Sequence, residues 1–375
     1  DEKLTDLFKE RMEKSLEIAK YKKGHKVPVF SDKREKEILH KVSEQIGEPF
    51  DGYARLLFNT IFDASRSCQN NYMAKRSDLA DRIEEALKET PNLFPKKAVV
   101  ACQGVAGSYS QAACEKLFEV PSIMYFNSFE GVFNAVEKGL CQYGILPIEN
   151  SSYGSVGAVY DLMQNYNFHI AKGIRLRISH NLMAKPGTAL SDVKEIFSHE
   201  QALGQCGDFL KAHPALKVVE RDDTAGSARE IAEQRLRGTA AICGAGAAEL
   251  YGLEILERGI ETNKHNFTRF LLLADRSCAA GFTDPARTNK ASLVFSLPHT
   301  QGSLSKVLTL LSFYEINLSK IQSLPIIGRE WEYRFYVDVT FDDAVRYRQA
   351  IEAARPLTSD FRILGEYAEC PNPVI

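Results

Sequence analysis

At 375 residues the chain is longer than one hydrophobic core usually serves, so two or three domains are expected. Hydrophobic residues make up 44% and charged residues 26%, an ordinary globular balance, and a net charge of −2 excludes the cationic excess of a nucleic-acid binder. No apolar run reaches the roughly 18 residues of a membrane span and no signal pattern opens the chain, so no membrane partner and a cytoplasmic address are expected.

Residues 1 to about 90 carry a 3.6-residue apolar rhythm and predict helices. The first holds Leu4, Leu7, Phe8, Ile18 and Ala19 and stops near Lys23-Gly24. The second starts at Ser31-Asp32, shows Ile38, Leu39, Val42 and Ile46, and ends at Gly47. A third runs from Asp51 through Leu56, Phe58, Ile61 and Phe62, and a connecting helix is expected from Ser77 to just before Pro91. From Ala98 short apolar runs alternate with helical stretches: Ala98–Ala101, Ile123–Tyr125, Tyr143–Leu146, Val218-Val219, Ala240–Ile242 and Phe270–Leu273. That alternation predicts an α/β domain with a mostly parallel sheet. Asp275 to Asn289 reads as a linker. The last 85 or so residues read as strand (291–297), helix (303–313), strand (316–323), strand (333–340), helix (343–354) and strand (361–366), a ferredoxin-like βαββαβ order. Eight cysteines (68, 102, 114, 141, 206, 243, 278 and 370) form no CxxC pair and no His stands at ligand spacing from them. They read as reduced core residues, and no metal is expected.

Cations interrupt the first apolar stripe. Positions 4, 8, 11, 15, 18 and 22 share a face, so Arg11 and Lys22 fall where Leu or Ile belongs, about 16 Å apart on three turns. A buried cation without a counterion is too costly, so this seam either splays its charged heads into water or meets an anion. Ser65 and Gln69 continue the stripe of the third helix in the same way, and Arg34 and Glu35 open the second beside its own stripe. Snorkelling from a seam that only dimerises is the competing reading.

Further along, Gly104-Val105-Ala106-Gly107 leads into Ser108, Tyr109 and Ser110, and Thr224-Ala225-Gly226-Ser227 follows Asp222-Asp223. Both place backbone N–H groups and hydroxyls at a helix start, where a carboxylate can be held, although plain turn geometry or N-capping explains each alone. Glu149-Asn150-Ser151 follows a strand, where α/β sheets place ligand groups. Thr268-Arg269-Phe270, within Lys264–Leu271, puts a hydroxyl and a guanidinium at the mouth of an apolar strand. His199 has a near-neutral intrinsic pKa, yet a lone His after an apolar strand reads as structural.

Taken in order, Gly104–Ser110, Pro147–Ser151, Ser198–Ala202 with Gln205-Cys206, Thr224–Ala228 and Thr268–Phe270 resemble the prephenate dehydratase catalytic domain. Asp1–Leu4 through Arg11, Lys20–Lys22, Arg34-Glu35 and Ser65–Gln69 resemble the all-helical chorismate mutase domain, and the terminal βαββαβ unit resembles an ACT regulatory domain. The fusion resembles the bifunctional mutase–dehydratase family of phenylalanine biosynthesis and covers essentially the whole chain. It implies domains at 1–92, 96–276 and 288–375, with a two-lobed α/β dehydratase resembling periplasmic solute-binding folds. It also implies chorismate and prephenate as substrates, phenylalanine as effector, no cofactor, and a homodimer or homotetramer.

The resemblance implies residue roles as well. In the mutase, Arg11 and Arg34 would hold carboxylate or hydroxyl groups, Lys22 and Gln69 would meet the ether oxygen, and Glu35 and Ser65 complete the set. In the dehydratase, Thr268 would give or relay a proton to the departing hydroxyl, with Glu149 as ultimate acid. Arg269, Ser108, Thr224 and Ser227 would fix carboxylates; Asn150, Ser198 and Gln205 would orient the ring, beside Ser151. In the ACT unit, Gly302, Ser303, Leu304, Asn317 and Ser323 would bind phenylalanine, with Trp331-Glu332-Tyr333 nearby. Departures exist. The family's further arginine early in the first helix would lie upstream of Asp1, so a chain beginning there is expected to be a weak mutase, although the missing initiating Met points to a longer natural chain. Ser31 or Asp32 matches only loosely the acidic residue before Arg34. Glu200 replaces a common proline, and the family's Glu-Ser-Arg-Pro reads Gln322-Ser323-Leu324-Pro325. Two other readings stand: a dehydratase whose helices only dimerise, and a non-catalytic carboxylate or amino-acid sensor. Prephenate and its aminated analogue arogenate are not separated by the sequence.

Overall fold

The computed structural model describes residues 1–25, 27–73, 94–234, 236–275, 288–329 and 331–369. The connecting helix expected from Ser77, most of the expected linker, Cys278 and Cys370 lie outside them. The chain divides into two compact units, Asp1–Thr90 with Ser292–Ile363, and Pro91–Ala291 with Leu364–Ile375.

In the first unit, helices α1 (Glu2–His25), α2 (Asp32–Ile46) and α3 (Asp51–Met73) form where the apolar rhythm predicts them. Glu2 in the first turn of α1 and Lys22, Lys23 and His25 in its last suit the helix dipole. Ser31 stands at the N-terminal cap of α2 and Gly47 at its C-terminal cap. Ala19, Val42, Ala54 and Phe62 are buried in this bundle. The same unit holds most of a four-stranded sheet of order β13-β14-β12-β15, built from β12 (Lys290–Ser296), β13 (Asn317–Pro325), β14 (Tyr333–Thr340) and β15 (Ser359–Tyr367). Helices α11 (Ser303–Phe313) and α12 (Ala344–Ala354) complete the expected βαββαβ order. Asp343 caps α12 by accepting from the Val345 and Arg346 amides. Ser67 on α3 hydrogen-bonds the Tyr314 hydroxyl just beyond α11.

The second unit is two lobes. One sheet runs β2-β1-β3-β11-β5, with β1 (Lys97–Gln103), β2 (Val120–Phe126), β3 (Tyr143–Asn150), β5 (His169–Arg177) and β11 (Phe267–Ala274); β4 (Gly154–Ser155) pairs with β3. The other runs β10-β6-β9-β7-β8, with β6 (Asn181–Ala184), β7 (Glu195–Ser198), β8 (Lys217–Glu220), β9 (Thr239–Cys243) and β10 (Glu254–Glu257). Helices α4 (Tyr109–Leu117), α5 (Phe129–Glu137) and α6 (Gly157–Met163) belong to the first lobe, and α7 (Glu200–Gln205), α8 (Gly207–Ala212), α9 (Thr224–Glu233) and α10 (Ala245–Tyr251) to the second. The expected mostly parallel sheet is corrected to two mixed sheets. β1 is parallel to β2 and β3, and β7 to β8 and β9, but β11 runs antiparallel to β3 and β5, and β6 antiparallel to β9 and β10. The cause is topological: the chain leaves the first lobe after β5 and returns as β11, reversing direction beside β3. The two crossings, 178–180 and 258–266, flank the cleft between the lobes.

Candidate active sites

The helices of the first unit enclose a cavity of about 500 Å³, lined among others by Arg11, Lys14, Ser15, Lys22, Arg34, Glu35, Ser65, Arg66 and Gln69. All six residues expected for a mutase site therefore face one space. Five of the named lining residues carry cationic groups, against one carboxylate. Arg11 lies against the Phe58 and Phe62 rings, 5.9 and 5.7 Å from their centroids, and its buried Nε has no hydrogen-bond partner among the described residues. The buried Oε1 of Gln69 likewise has none there. Native proteins satisfy most buried polar atoms, so these two atoms of one cavity have hydrogen-bonding capacity that the described residues leave open. Lys22 donates to the Val29 carbonyl at 2.6 Å, which holds its ammonium at the wall. Burial, and then the Arg34 guanidinium, lower its pKa from the ordinary lysine value, while Glu35 acts in the opposite sense. Arg66, given no role by the sequence, pairs with Glu35 at 2.5 Å and also with Asp63, and lies over the Phe30 ring. Glu35 is thus already neutralised by the protein. Arg66 falls on the same α3 stripe as Ser65 and Gln69, which is the signal that could have found it.

The second unit holds a cleft of about 470 Å³, lined among others by Ser108, Tyr109, Ser110, Asn150, His180, His199, Gln201, Gln205, Asp222, Asp223, Thr224, Thr268 and Phe270. The Gly104–Ser110 turn opens α4 as expected. Gly104 and Gly107 take positive φ of 100° and 84°, and a Cβ on Gly107 would meet Ala247 at 3.1 Å, so glycine lets this turn approach α10. Ser108 caps α4 by accepting from the Gln111 amide at 3.3 Å. Asp223 caps α9 by accepting from the Gly226 amide at 2.6 Å, which brings Thr224 to the cleft. His199 accepts from the Gln201 amide at the start of α7, a capping role, and its ring also lines the cleft.

One chain of hydrogen bonds crosses the cleft floor. The Ser152 and Tyr153 amides donate to Asn150 Oδ1 at 2.8 and 3.0 Å, so this oxygen is an acceptor and the Asn150 amide nitrogen must donate. It donates to Thr268 Oγ1 at 3.0 Å and to Asn266 Oδ1 at 2.8 Å. Asn266 Nδ2 then donates to Gln205 Oε1 at 2.6 Å, and the same oxygen lies 2.7 Å from His180 Nε2, which therefore carries a hydrogen. Backbone donors thus fix the polarity of the whole chain. Its result is that Thr268 Oγ1 accepts from the protein and keeps its own proton to give. His180 is 2% exposed, and burial lowers its pKa against the opposing effects of Gln205 and Glu261, which keeps the ring neutral at neutral pH. Sequence reasoning assigned no role to His180 or Asn266. Leu176, Ile178 and His180 continue one face of β5, and Asn266 shares the alternation of Thr268, so period-two spacing was the available signal.

Other expected residues are not brought to the cleft. Arg269 turns to the opposite face of β11, where Nε donates to Glu369 Oε1 at 2.8 Å and Nη2 to the Tyr367 hydroxyl at 2.7 Å. Glu149 is its cross-strand partner on β3, whereas Asn150 is the partner of Thr268, so Glu149 shares the face of Arg269. This corrects two expectations, because successive strand residues cannot both face one cleft. Ser198 donates to the Ile242 carbonyl, Ser227 to the Asp223 carbonyl and Ser151 to the His265 carbonyl; these hydroxyls brace the walls. In the C-terminal sheet, Gly302 caps α11 with φ 79°, Ser303 bonds the Thr300 carbonyl, Leu304 lies in the first turn, Asn317 opens β13 and Ser323 lies toward its far end. The described residues contain no group of three or more His, Cys, Asp or Glu able to hold a metal.

Comparison with known proteins covers the regions of both sites. Residues 100–278 match the family model for prephenate dehydratase, and residues 1–70 that for chorismate mutase type II. The chain is 36% identical to arogenate dehydratase/prephenate dehydratase 2, chloroplastic, of Arabidopsis thaliana, over 72% of each chain. It spans between 66% and 72% of the length of the first plant relatives that it matches. It is 29% identical to the bifunctional chorismate mutase/prephenate dehydratase of Escherichia coli K12, over 98% of this chain and 93% of that one. Among solved structures, prephenate dehydratase from Arthrobacter aurescens in complex with L-Phe superposes with a TM-score of 0.65 and 26% identity, covering 74% of this chain and 92% of that one. The chain belongs to the prephenate dehydratase family, as a bifunctional member that joins a chorismate mutase domain to a prephenate dehydratase domain for phenylalanine biosynthesis.

Proposed function

We propose that the helical cavity rearranges chorismate to prephenate and that the interlobe cleft converts prephenate to phenylpyruvate, within working domains at 1–92, 96–276 and 288–375. Chorismate carries two carboxylates and an ether oxygen that gains negative charge as its C–O bond breaks. Arg11 and Arg34 hold carboxylate or hydroxyl groups, while Lys22 and Gln69 meet the ether oxygen. Holding the reactive conformer supplies the remaining acceleration, and no covalent partner is needed. The orphaned Arg11 Nε and Gln69 Oε1 support this reading most directly.

In the cleft, the ring carboxylate leaves as carbon dioxide and its bonding electrons enter the ring. The ring hydroxyl departs as water with a proton from Thr268, which solvent then restores. The observation that carries this role is the fixed polarity of Asn150, which donates to Thr268 Oγ1 and eases charge left on that oxygen. Carboxylates are held by hydroxyls and N–H groups at the starts of α4 and α9, near Ser108 and Thr224, because among the described residues no Lys or Arg lines this cleft. Asp222 and Asp223 do line it. That acidic pair favours a second substrate reading, the amino-bearing arogenate, which the name of the Arabidopsis relative also carries. Comparing kcat/KM for prephenate and arogenate on the same preparation decides between them: a larger value for arogenate selects the second reading.

Phenylalanine is the proposed effector, bound at the Gly302–Leu304 turn with Asn317 and Ser323 in a homodimer or homotetramer; the L-Phe complex of the Arthrobacter enzyme supports it. A reducing, cytoplasmic setting suits the six free cysteines among the described residues, five of them buried.

A further inference from the structure

The back face of β11 carries a buried ionic cluster that the chemistry above leaves unused. Arg269 is 7% exposed, Lys290 5% and Tyr367 1%. Glu369 joins them: one carboxylate oxygen accepts from Arg269 Nε at 2.8 Å and the other from the Lys290 ammonium, while the Tyr367 hydroxyl takes Arg269 Nη2 at 2.7 Å. Two cations sunk into a protein interior need such partners, and removing one leaves an uncompensated charge. The packing is close. A Cβ on Gly173 of β5 would stand 3.2 Å from the Tyr367 ring and 3.3 Å from Glu369 Oε1, and Gly173 forms an isolated parallel bridge with Glu369. A Cβ on Gly365 would collide with the Ile170 carbonyl oxygen. The end of β15 and Glu369 just beyond it are therefore seated on β5 with no space to spare.

The position of the cluster gives it a consequence. Arg269 directly follows Thr268, and the pairing of β11 with β3 shifts register immediately after Arg269. Bulged strands re-aim side chains and lose part of their ladder, so the aim of Thr268 depends on what holds the next residue. Accepting the reading of Thr268 as the proton donor of the cleft, we propose that Arg269 is a positioning residue, clamped by Glu369, Tyr367 and Lys290, that sets the aim of Thr268 without touching substrate. Lys290 opens β12 and Tyr367 closes β15, so the clamp is made from the two ends of the C-terminal sheet's chain segment. A misplacement of about 1 Å costs on the order of a hundredfold in rate, which is the leverage such a clamp holds.

The test uses the full chain with Tyr367→Phe, Glu369→Gln and Arg269→Lys, assayed with prephenate and with chorismate. Tyr367→Phe removes one hydroxyl and keeps the ring's packing, so it remains folded. The expected result is a fall in dehydratase kcat of about ten- to hundredfold in Glu369→Gln and a smaller fall in Tyr367→Phe, with KM within about twofold and mutase turnover unchanged. Arg269→Lys, which keeps a cation and N–H donors but not the planar fork, should retain more kcat than Arg269→Met. If Tyr367→Phe and Glu369→Gln keep the parent kcat while Arg269→Lys raises KM, the guanidinium meets substrate and the proposal is overturned. Unchanged kcat and KM in all three overturns it as well. A Thr268→Ala control separates the two levels: full turnover there refutes the reading of the cleft itself.

Discussion

Thr268 and Arg269 are neighbours in sequence and face opposite sides of β11. The first lines the cleft and accepts from Asn150 at 3.0 Å, while the second is held by Glu369 and Tyr367. Thr268→Ala is expected to lower dehydratase kcat by about two to four orders of magnitude, the usual worth of a positioned proton-transfer group. Thr268→Ser, which keeps the hydroxyl, should retain most of the rate. Mutase turnover should survive both changes. Steady-state assays with prephenate check it, and near-parental turnover in the alanine variant removes Thr268 from the mechanism.

Asn150→Asp should be more damaging than its size suggests. The carboxylate still accepts from the Ser152 and Tyr153 amides, but it presents an acceptor where Thr268 Oγ1 and Asn266 Oδ1 need a donor. Thr268 then donates its proton to the introduced carboxylate rather than to substrate, and kcat should fall about a hundredfold or more. A pH series reads the effect: raising the acidity far enough to protonate the new carboxyl should recover part of the rate.

The mutase should lose activity as pH rises, earlier than an ordinary lysine would dictate. Lys22 must be protonated to donate to the ether oxygen, and burial with Arg34 lowers its pKa below the usual 10.5. The alkaline limb of mutase kcat/KM, which reports the free enzyme, therefore lies below that value. Lys22→Arg, always charged, should move the limb upward. Lys22→Ala and Arg11→Ala should abolish turnover with the melting temperature unchanged or raised, since each removes a cation from a partly desolvated seam. An unfolded variant whose residual folded fraction keeps its mutase rate would assign these cations to structure.

Phenylalanine binding should be weak, because Gln322 and Leu324 stand where the resemblance to an ACT domain implies an acid and an arginine. Gln322 donates to the Ser323 carbonyl, and Leu324 lies directly across from Arg334. The two positions should be changed together: Leu324→Arg alone faces a like charge, and Gln322→Glu offsets it. Calorimetry of the double variant is expected to show tighter binding than the parent, accompanied by a change in conformation or assembly. Neither heat nor inhibition with the parent at millimolar phenylalanine would leave the sheet an assembly element.

The helical module was legible because its signals are local. Caps, a 3.6-residue rhythm and cations at apolar positions all act within one helix, and Arg11, Lys22, Ser65 and Gln69 meet as that rhythm requires. The terminal βαββαβ order was legible for the same reason. The strands β4, β5, β6 and β10 were missed. Residues such as Asn181–Ala184 are buried on both faces and offer no alternation to read. Arg269 and Glu149 were misplaced by treating a tripeptide and a loop as motifs, although the two-residue period of a strand forbids Thr268 and Arg269 from sharing a face. His180 and Asn266 stand at the two crossings between lobes, and only the return of β11 brings them together.

Supplying the parent protein with chorismate alone, and following chorismate, prephenate and phenylpyruvate in time, tests the two-site account most directly. Chorismate should disappear and phenylpyruvate should form through prephenate; Thr268→Ala should stop the sequence at prephenate, and Lys22→Ala should block chorismate yet still consume added prephenate. Chorismate left untouched by the parent, or phenylpyruvate formed at full rate by Thr268→Ala, would contradict it.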